Sequence, residues 1–178
     1  LEVVSMMGGV SRGSDVNGFE ITTRLADLCN AQHSLFPAPL YAGSPESQAL
    51  FMEQDVIAEM LTKIRSCDAI ALATGDLHTS LLVRDALPKT VEPAELMAMG
   101  GVGDITGHIL NAAGELLDHP LNRQVIGLTL DEMAQIKNVI LAAGGIHKVP
   151  VIGAALKRGF VDTLVTDENT AQALLEQP

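Results

Sequence analysis

Aromatic side chains are scarce: the 178 residues hold no tryptophan, one tyrosine and four phenylalanines. The core must therefore be built from Leu, Val, Ile, Ala and Met, which suits a helix-covered parallel sheet better than an aromatic-rich sandwich. Cysteine is nearly missing. Cys29 and Cys67 stand in apolar contexts with no C-x-x-C spacing, which argues against a disulfide framework and for small buried hydrophobes in a reduced, cytoplasmic setting. No apolar run approaches the ~18 residues of a membrane span, and no signal-peptide pattern is present. Positive charge is in deficit, with 11 Lys and Arg against 22 Asp and Glu for a net charge of −11. So acidic a surface repels phosphate backbones, and this stretch is not expected to bind DNA by itself. A local basic spot at Lys148, Lys157 and Arg158 could still hold a small anion.

Glycine, by contrast, is plentiful, with 16 residues, and apolar residues make up 47%. The chain is organised around Asn138–Gly159, NVILAAGGIHKVPVIGAALKRG. Val139 to Ala143 is a continuous apolar run, as in a strand buried on both faces. Gly144 and Gly145 allow a sharp turn and close backbone approach to a ligand. Pro150 then opens a helix that ends at Gly159. Lys148 sits just before that helix, where the dipole makes a cation unfavourable by ~0.3–1 kcal/mol. An anion held between Lys148 and the free N–H groups would reverse the sign; the bland alternative is a lysine pointing into water.

Along the rest of the chain, Leu1–Met7 reads as a strand followed by Gly8-Gly9 and a polar loop to Gly18. Phe19–His33 has helical periodicity, with Ile21, Leu25 and Leu28 on one face. Ser34–Leu40 reads as a short strand. Pro45–Arg65 reads as one helix, capped by Ser44 or Ser47. Cys67–Thr74 is a buried strand running into Gly75-Asp76, and Thr79–Leu87 and Glu92–Met99 are short helices. A hairpin turn is expected at Ala112–Glu115, between His108–Asn111 and Leu116–Asp118. Gln124–Leu128 is a strand. Thr129 caps Leu130–Lys137, with Glu132 completing a capping box. Thr163–Thr166 is a strand, and Asp167 or Thr166 caps the helix Glu168–Glu176. The alternation predicts an α/β domain: a largely parallel sheet flanked by helices, with a small antiparallel insertion.

The glycine loops at Gly8-Gly9, Gly75-Asp76 and Gly144-Gly145 follow strands. In a parallel sheet they converge at the carboxyl ends of the strands. A pocket there would gather Asn17, Asp76, His78, Asp104 and Lys148. Named phosphate motifs fail: Gly13 is followed by Ser14 rather than Lys, and Gly107 lies one residue too far from Gly101-Val-Gly103 for a dinucleotide fingerprint. Asp104, between glycine turns, can bind sugar hydroxyls or simply close an Asx-turn. His78, His108 and His147 lack metal-ligand spacing, no nucleophile elbow exists, and no cofactor is implied.

The stretches VSMMGGV, GGVGDITGHILNAAGE, LNRQVIGLTLDEM, LAAGGIHKVPVIGAALKRG and TLVTDENTAQALL together resemble the effector-binding domain of SorC-family bacterial transcriptional regulators. The resemblance spans nearly the whole chain. It implies a fold similar to ribose-phosphate isomerase, glucosamine-phosphate deaminase and the CoA transferases. It also implies a sensor whose sugar, sugar-phosphate or polyol effector controls an attached DNA-binding helix-turn-helix, in a cytoplasmic homodimer or homotetramer with no membrane contact. By position, Lys148 and Asp104 would be ligand residues. Asn17 would be a polar ligand, Gly8, Gly9, Gly144 and Gly145 would allow close contact, and Asp76 and His78 would border the pocket. The expected organisation is one effector-binding domain over 1–178, truncated on its N-terminal side and lacking the helix-turn-helix. Asn111 departs from the aspartate common at its position. The rival is an enzyme on the same fold, a sugar-phosphate isomerase, deaminase or lactonase, with Asp104 or Asp76 as base and His78 or His108 as proton shuttle. A third reading is a plain oligomerisation module.

Overall fold

The computed structural model describes residues 1–9 and 18–176. Strands and helices alternate: β1 (Glu2–Val4), α1 (Gly18–Leu28), β2 (Gln32–Ser34), α2 (Pro45–Met52), α3 (Asp55–Arg65), β3 (Ile70–Leu72), β4 (Thr74–Gly75), α4 (Pro93–Ala98), β5 (Gly101–Ile105), β6 (His108–Asn111), α5 (Leu130–Met133), β7 (Val139–Ala142), α6 (Val149–Arg158), β8 (Thr163–Val165) and α7 (Glu168–Leu175). A π-helical turn occupies Leu82–Ala86, and 3-10 turns occupy Pro120–Arg123 and Ile146–Lys148.

Parallel pairing joins β1 to β2 and, separately, β3 to β7 to β8. The antiparallel sheet is β4-β5-β6. Only Ala73 separates β3 from β4, so one chain segment passes from the parallel into the antiparallel sheet. That junction lies at the carboxyl end of β3, beside the end of β7, and it locates the site described below.

Two apolar clusters hold these layers. The larger packs Ile57, Leu61 and Ile64 of α3 and Ile152 of α6 against Leu72 and Leu141 of the parallel sheet. The smaller gathers Leu77, Leu82, Leu96, Ile109 and Leu121 around the antiparallel sheet. Each such side chain, fully buried, contributes roughly 1.5–3 kcal/mol.

Local signals produced the elements they specify. Ser44 caps α2 through the Ser47 N–H, and Thr129 and Glu132 close a reciprocal capping box on α5. Pro150 lies in the first turn of α6, and Gly159 ends it at φ 78°. Elsewhere tertiary packing overrode the pattern. The helix expected over Pro45–Arg65 breaks at Glu53-Gln54: Glu53 closes α2, and Gln54 turns extended at ψ 131°. The restart turns α3 so that its apolar stripe meets the core, whereas α2 buries no residue. The second strand is Gln32–Ser34 rather than Ser34–Leu40, because the chain pairs with β1 before Pro37 and Pro39 remove their donors. Helix α1 is correspondingly shorter than Phe19–His33 and ends at Leu28. The principal hairpin joins β5 to β6 through Thr106-Gly107. The expected turn at Ala112–Glu115 is present as well, bringing Leu116 back to bridge Leu110. Residues 124–128 form single bridges from Val125 and Gly127 rather than a regular strand. Helix α5 stops at Met133, four residues short of Lys137.

Candidate functional site

The Thr106-Gly107 turn has positive φ at both residues, 49° and 87°, as in a tight primed hairpin. It folds Asp104 back on itself: Oδ2 accepts the Gly107 N–H at 2.9 Å. Tyr41 steadies the same turn by donating its hydroxyl to the Gly107 carbonyl at 2.6 Å. Thus half of the expected Asx-type bonding exists, while Oδ1 of Asp104 accepts no hydrogen bond among the described residues. Asp104 pairs in register with Gly75 of β4. A side chain at position 75 would strike Asp104 Oδ1 and the Ser80 side chain, so the bare glycine makes room for the carboxylate.

Asp104 is buried, and burial pushes its pKa up to about 7. The Gly107 N–H and the charge of Lys148 pull it down, and the charge of Asp76 pushes it up. Tyr41 is raised as well, first by burial and then by the charge of Asp104.

Asp76 follows β4 directly and is buried too. Its Oδ1 accepts the His78 and Thr79 N–H groups, each at 2.7 Å, and its Oδ2 accepts the Thr79 hydroxyl at 3.0 Å. Burial by itself would raise this pKa. The Thr79 and His78 N–H groups, the Thr79 hydroxyl and nearby His147 outweigh it, and the carboxyl ends below its ordinary value. His147 Nε2 stands 3.9 Å from Asp76 Oδ2.

The turn after β7 supplies the cation. Gly145 has φ 104°, which an L side chain rarely adopts. Its carbonyl accepts the Lys148 N–H at 2.9 Å, closing the 3-10 turn that ends at Lys148. Lys148 is the N-cap residue of α6 without a side-chain capping bond, and it is half-buried. Among the described residues its ammonium forms no ion pair, while its charge reaches Asp104. The same 3-10 turn takes the Lys148 and Val149 N–H groups, and Pro150 has none, so the start of α6 presents the lysine cation rather than a row of open donors.

The structure thus brings together Asp76, Asp104, Gly144, Gly145 and Lys148. His78 joins through its backbone only; its side chain is exposed. Gly8 lies against the backbone of Ala38 and Pro39, with no space for a side chain, and Gly9 bridges Pro39. Asn17 lies outside the described residues. His108 is buried, with Nδ1 3.4 Å from the Thr106 hydroxyl, and burial lowers its pKa to about 4. Among the described residues no three His, Cys, Asp or Glu side chains cluster as a metal site. A surface depression on α3 lined by Asp55, Ala58, Glu59 and Thr62 has two carboxylates and no cation, which suits no anion. Sequence reasoning missed Tyr41, and it read Asp167 only as a helix cap. Both act across long sequence separations that local pattern does not encode.

This cluster offers carboxylate acceptors and a cation, the set that holds hydroxyls and an anion. The family model described as "Putative sugar-binding domain" matches residues 1–176. The chain belongs to that family, the sugar-binding domain of SorC-type regulators. It is 31% identical over 182 residues to the erythritol catabolism regulatory protein EryD of Brucella abortus, covering 100% of this chain and 56% of that one. It is 32% identical over 179 residues to the transcriptional regulator LsrR of an Enterobacter species, covering 98% and 53%. The crystal structure of a sugar-binding domain of a transcriptional repressor from Vibrio fischeri superposes with a TM-score of 0.85 at 30% identity, covering 98% of this chain and 69% of that one. The chain spans about half the length of the curated relatives it matches.

Proposed function

We propose that residues 1–178 form the effector-sensing part of a transcriptional regulator, and that its effector is a sugar or polyol, free or phosphorylated. The observation that carries this reading is Asp104 within reach of the charge of Lys148: among the described residues Asp104 Oδ1 accepts no hydrogen bond and the Lys148 ammonium forms no ion pair. In the proposed complex Asp104 accepts ligand hydroxyls. Lys148 receives the anionic or most electron-rich group, and the Gly144-Gly145 turn lets backbone approach the ligand. Asp76 shapes the loop beside them, its carboxylate accepting three donors of its own turn. The site works by binding, not turnover. A bound effector changes DNA affinity only to the extent that it prefers one conformational or oligomeric state, and DNA contact belongs to another part of the whole protein. A cytoplasmic homo-oligomer is the setting we propose.

The test is thermal stabilisation of the full-length protein by paired panels of free and phosphorylated sugars and polyols. The panel starts with erythritol and erythritol 4-phosphate, because one relative regulates erythritol catabolism. A ligand at 100 times its Kd adds roughly 2.7 kcal/mol, a visible shift in Tm. One stabilising ligand recovered unchanged after incubation is the expected result. A ligand that is consumed would make the protein an enzyme, and a blank panel would withdraw the sugar.

A further inference from the structure

The Gly144-Gly145 turn is fastened from outside the β7–α6 unit. Asp167, the N-cap of α7, uses Oδ1 to accept the Thr170 N–H at 2.9 Å, the ordinary capping bond. Its Oδ2 has a second task. It accepts the Gly145 N–H at 2.9 Å and the Thr170 hydroxyl at 2.6 Å, while the Thr170 oxygen also accepts the Gly145 N–H at 2.8 Å. The three groups close a triangle around one amide. Thr170 is fully buried, so its hydroxyl cannot trade this bond for water without moving the helix. Gly144 completes the fit: a side chain there would strike Asp167 Oδ2. The carbonyl of Gly145 in turn accepts the Lys148 N–H. The path from Asp167 to the site cation therefore runs through one residue, Gly145, whose N–H is held by α7 and whose C=O holds Lys148.

We infer that Asp167 and Thr170 are positioning residues for the effector site, fixing the Gly145 turn so that Lys148 is presented to the ligand. The inference rests on the effector reading above. A helix that needed only a cap would use one oxygen; here the second oxygen and a buried hydroxyl converge on a positive-φ glycine 22 residues away. Held this way, the backbone of Lys148 loses little freedom on binding, which is how preorganisation raises affinity.

The roles of hydroxyl, shape and cap separate in three variants of the full-length protein, probed with erythritol 4-phosphate by calorimetry. Thr170→Val keeps the buried shape and loses the hydroxyl; Thr170→Ser keeps the hydroxyl and loses a methyl. Asp167→Ser keeps a good helix cap and loses the oxygen that reaches Gly145. The expected result is about a 10-fold loss of affinity in Thr170→Val and Asp167→Ser, with Thr170→Ser near wild type, each hydrogen bond being a modest but real contribution. Hydrogen exchange across residues 143–149 should rise in the two weak binders and not in Thr170→Ser. If affinity instead follows Tm, with Thr170→Ser the weaker of the two threonine variants, the pair is structural and the inference fails. If wild type binds erythritol 4-phosphate and all three variants bind equally well, only the positioning role is lost. If wild type binds neither this probe nor any in the wider panel, the effector reading and this inference fall together.

Discussion

Asp104 and His108 sit four residues apart on one hairpin, and burial moves their pKa values in opposite directions. Folded Asp104 titrates near 7 against an ordinary value of 3.8. Between those values the native state keeps a proton that the unfolded chain has released, so Asp104 lowers stability as pH rises through that window. His108 titrates near 4 against 6.5. The unfolded chain takes up its proton first, so His108 lowers stability as pH falls from 6.5 towards 4. The two slopes oppose each other over most of this range. Asp104→Asn should gain stability relative to wild type as pH rises from 4 to 7, and His108→Gln should gain it as pH falls from 6.5 to 4, both read from Tm against pH. Parallel curves for wild type and variants would show that neither group is perturbed. Asp104→Asn keeps an acceptor for the Gly107 N–H but carries no charge opposite Lys148. We expect it to bind effector about 10-fold more weakly, the scale of a charge-assisted hydrogen bond, even where it is more stable.

The residues that carry this chemistry were legible to different degrees. Lys148 before a helix and Asp104 between glycines are local patterns, and they lie where the pattern pointed. That one Asp104 oxygen is tied back to Gly107 while the other stays open follows from the φ values of Thr106 and Gly107, which sequence suggests only weakly. Asp167 was visible as a cap, because capping is an i to i+3 interaction. Its bond to Gly145 was not, because nothing in the order of residues says that α7 packs beside the β7 turn.

Among the elements, α6 is the one that most fully repeats its sequence signals, with Pro150 at its start and a left-handed Gly159 at its end. No atom lies within 4 Å of where a side chain at Gly159 would sit. Gly159→Ala should therefore cost only the conformational penalty, about 1 kcal/mol, a fall of a few degrees in Tm without loss of effector affinity. Gly114→Ala is different in kind: its methyl would strike the Ala154 carbonyl of α6. It should destabilise more than Gly159→Ala, as chemical denaturation of the pair would show. The break between α2 and α3 carries the complementary lesson. Periodicity predicts that a helix exists, but where it stops depends on which face the core needs, and Leu50 of α2 is 62% exposed.

At the scale of the molecule, the alternating pattern predicted the α/β class and the parallel β3-β7-β8 order supplies it, while the antiparallel sheet proved larger than the expected insertion. It takes in β4 and β5 as well as β6, because Gly101–Ile105 is glycine-rich and reads as loop until its partner strands are known. The candidate site draws on chain neighbours of both apolar clusters, Ile105 and Ala143 of the larger and Leu77 of the smaller. Some apolar surface remains uncovered. Ile21, Leu25 and Leu28 of α1 are 56%, 45% and 79% exposed, and Val165 of β8 is 57% exposed. The helix face was correctly read from its periodicity, yet among the described residues nothing covers it, and α1 packs instead through Ala26. Leu28→Ser should change Tm by less than a degree or two, whereas Leu96→Ala, in the smaller core, should cost about 2–5 kcal/mol.

The central claim is that Lys148 and Asp104 together hold an effector. Calorimetric titration of erythritol 4-phosphate, or of whichever panel compound stabilises the protein most, into wild type, Lys148→Ala and Asp104→Ala tests it most directly. We predict measurable binding by wild type and a loss of at least about 10-fold in each variant, as expected when a charged hydrogen-bonding partner is removed. Unchanged affinity in both variants, with the fold intact, would contradict the site.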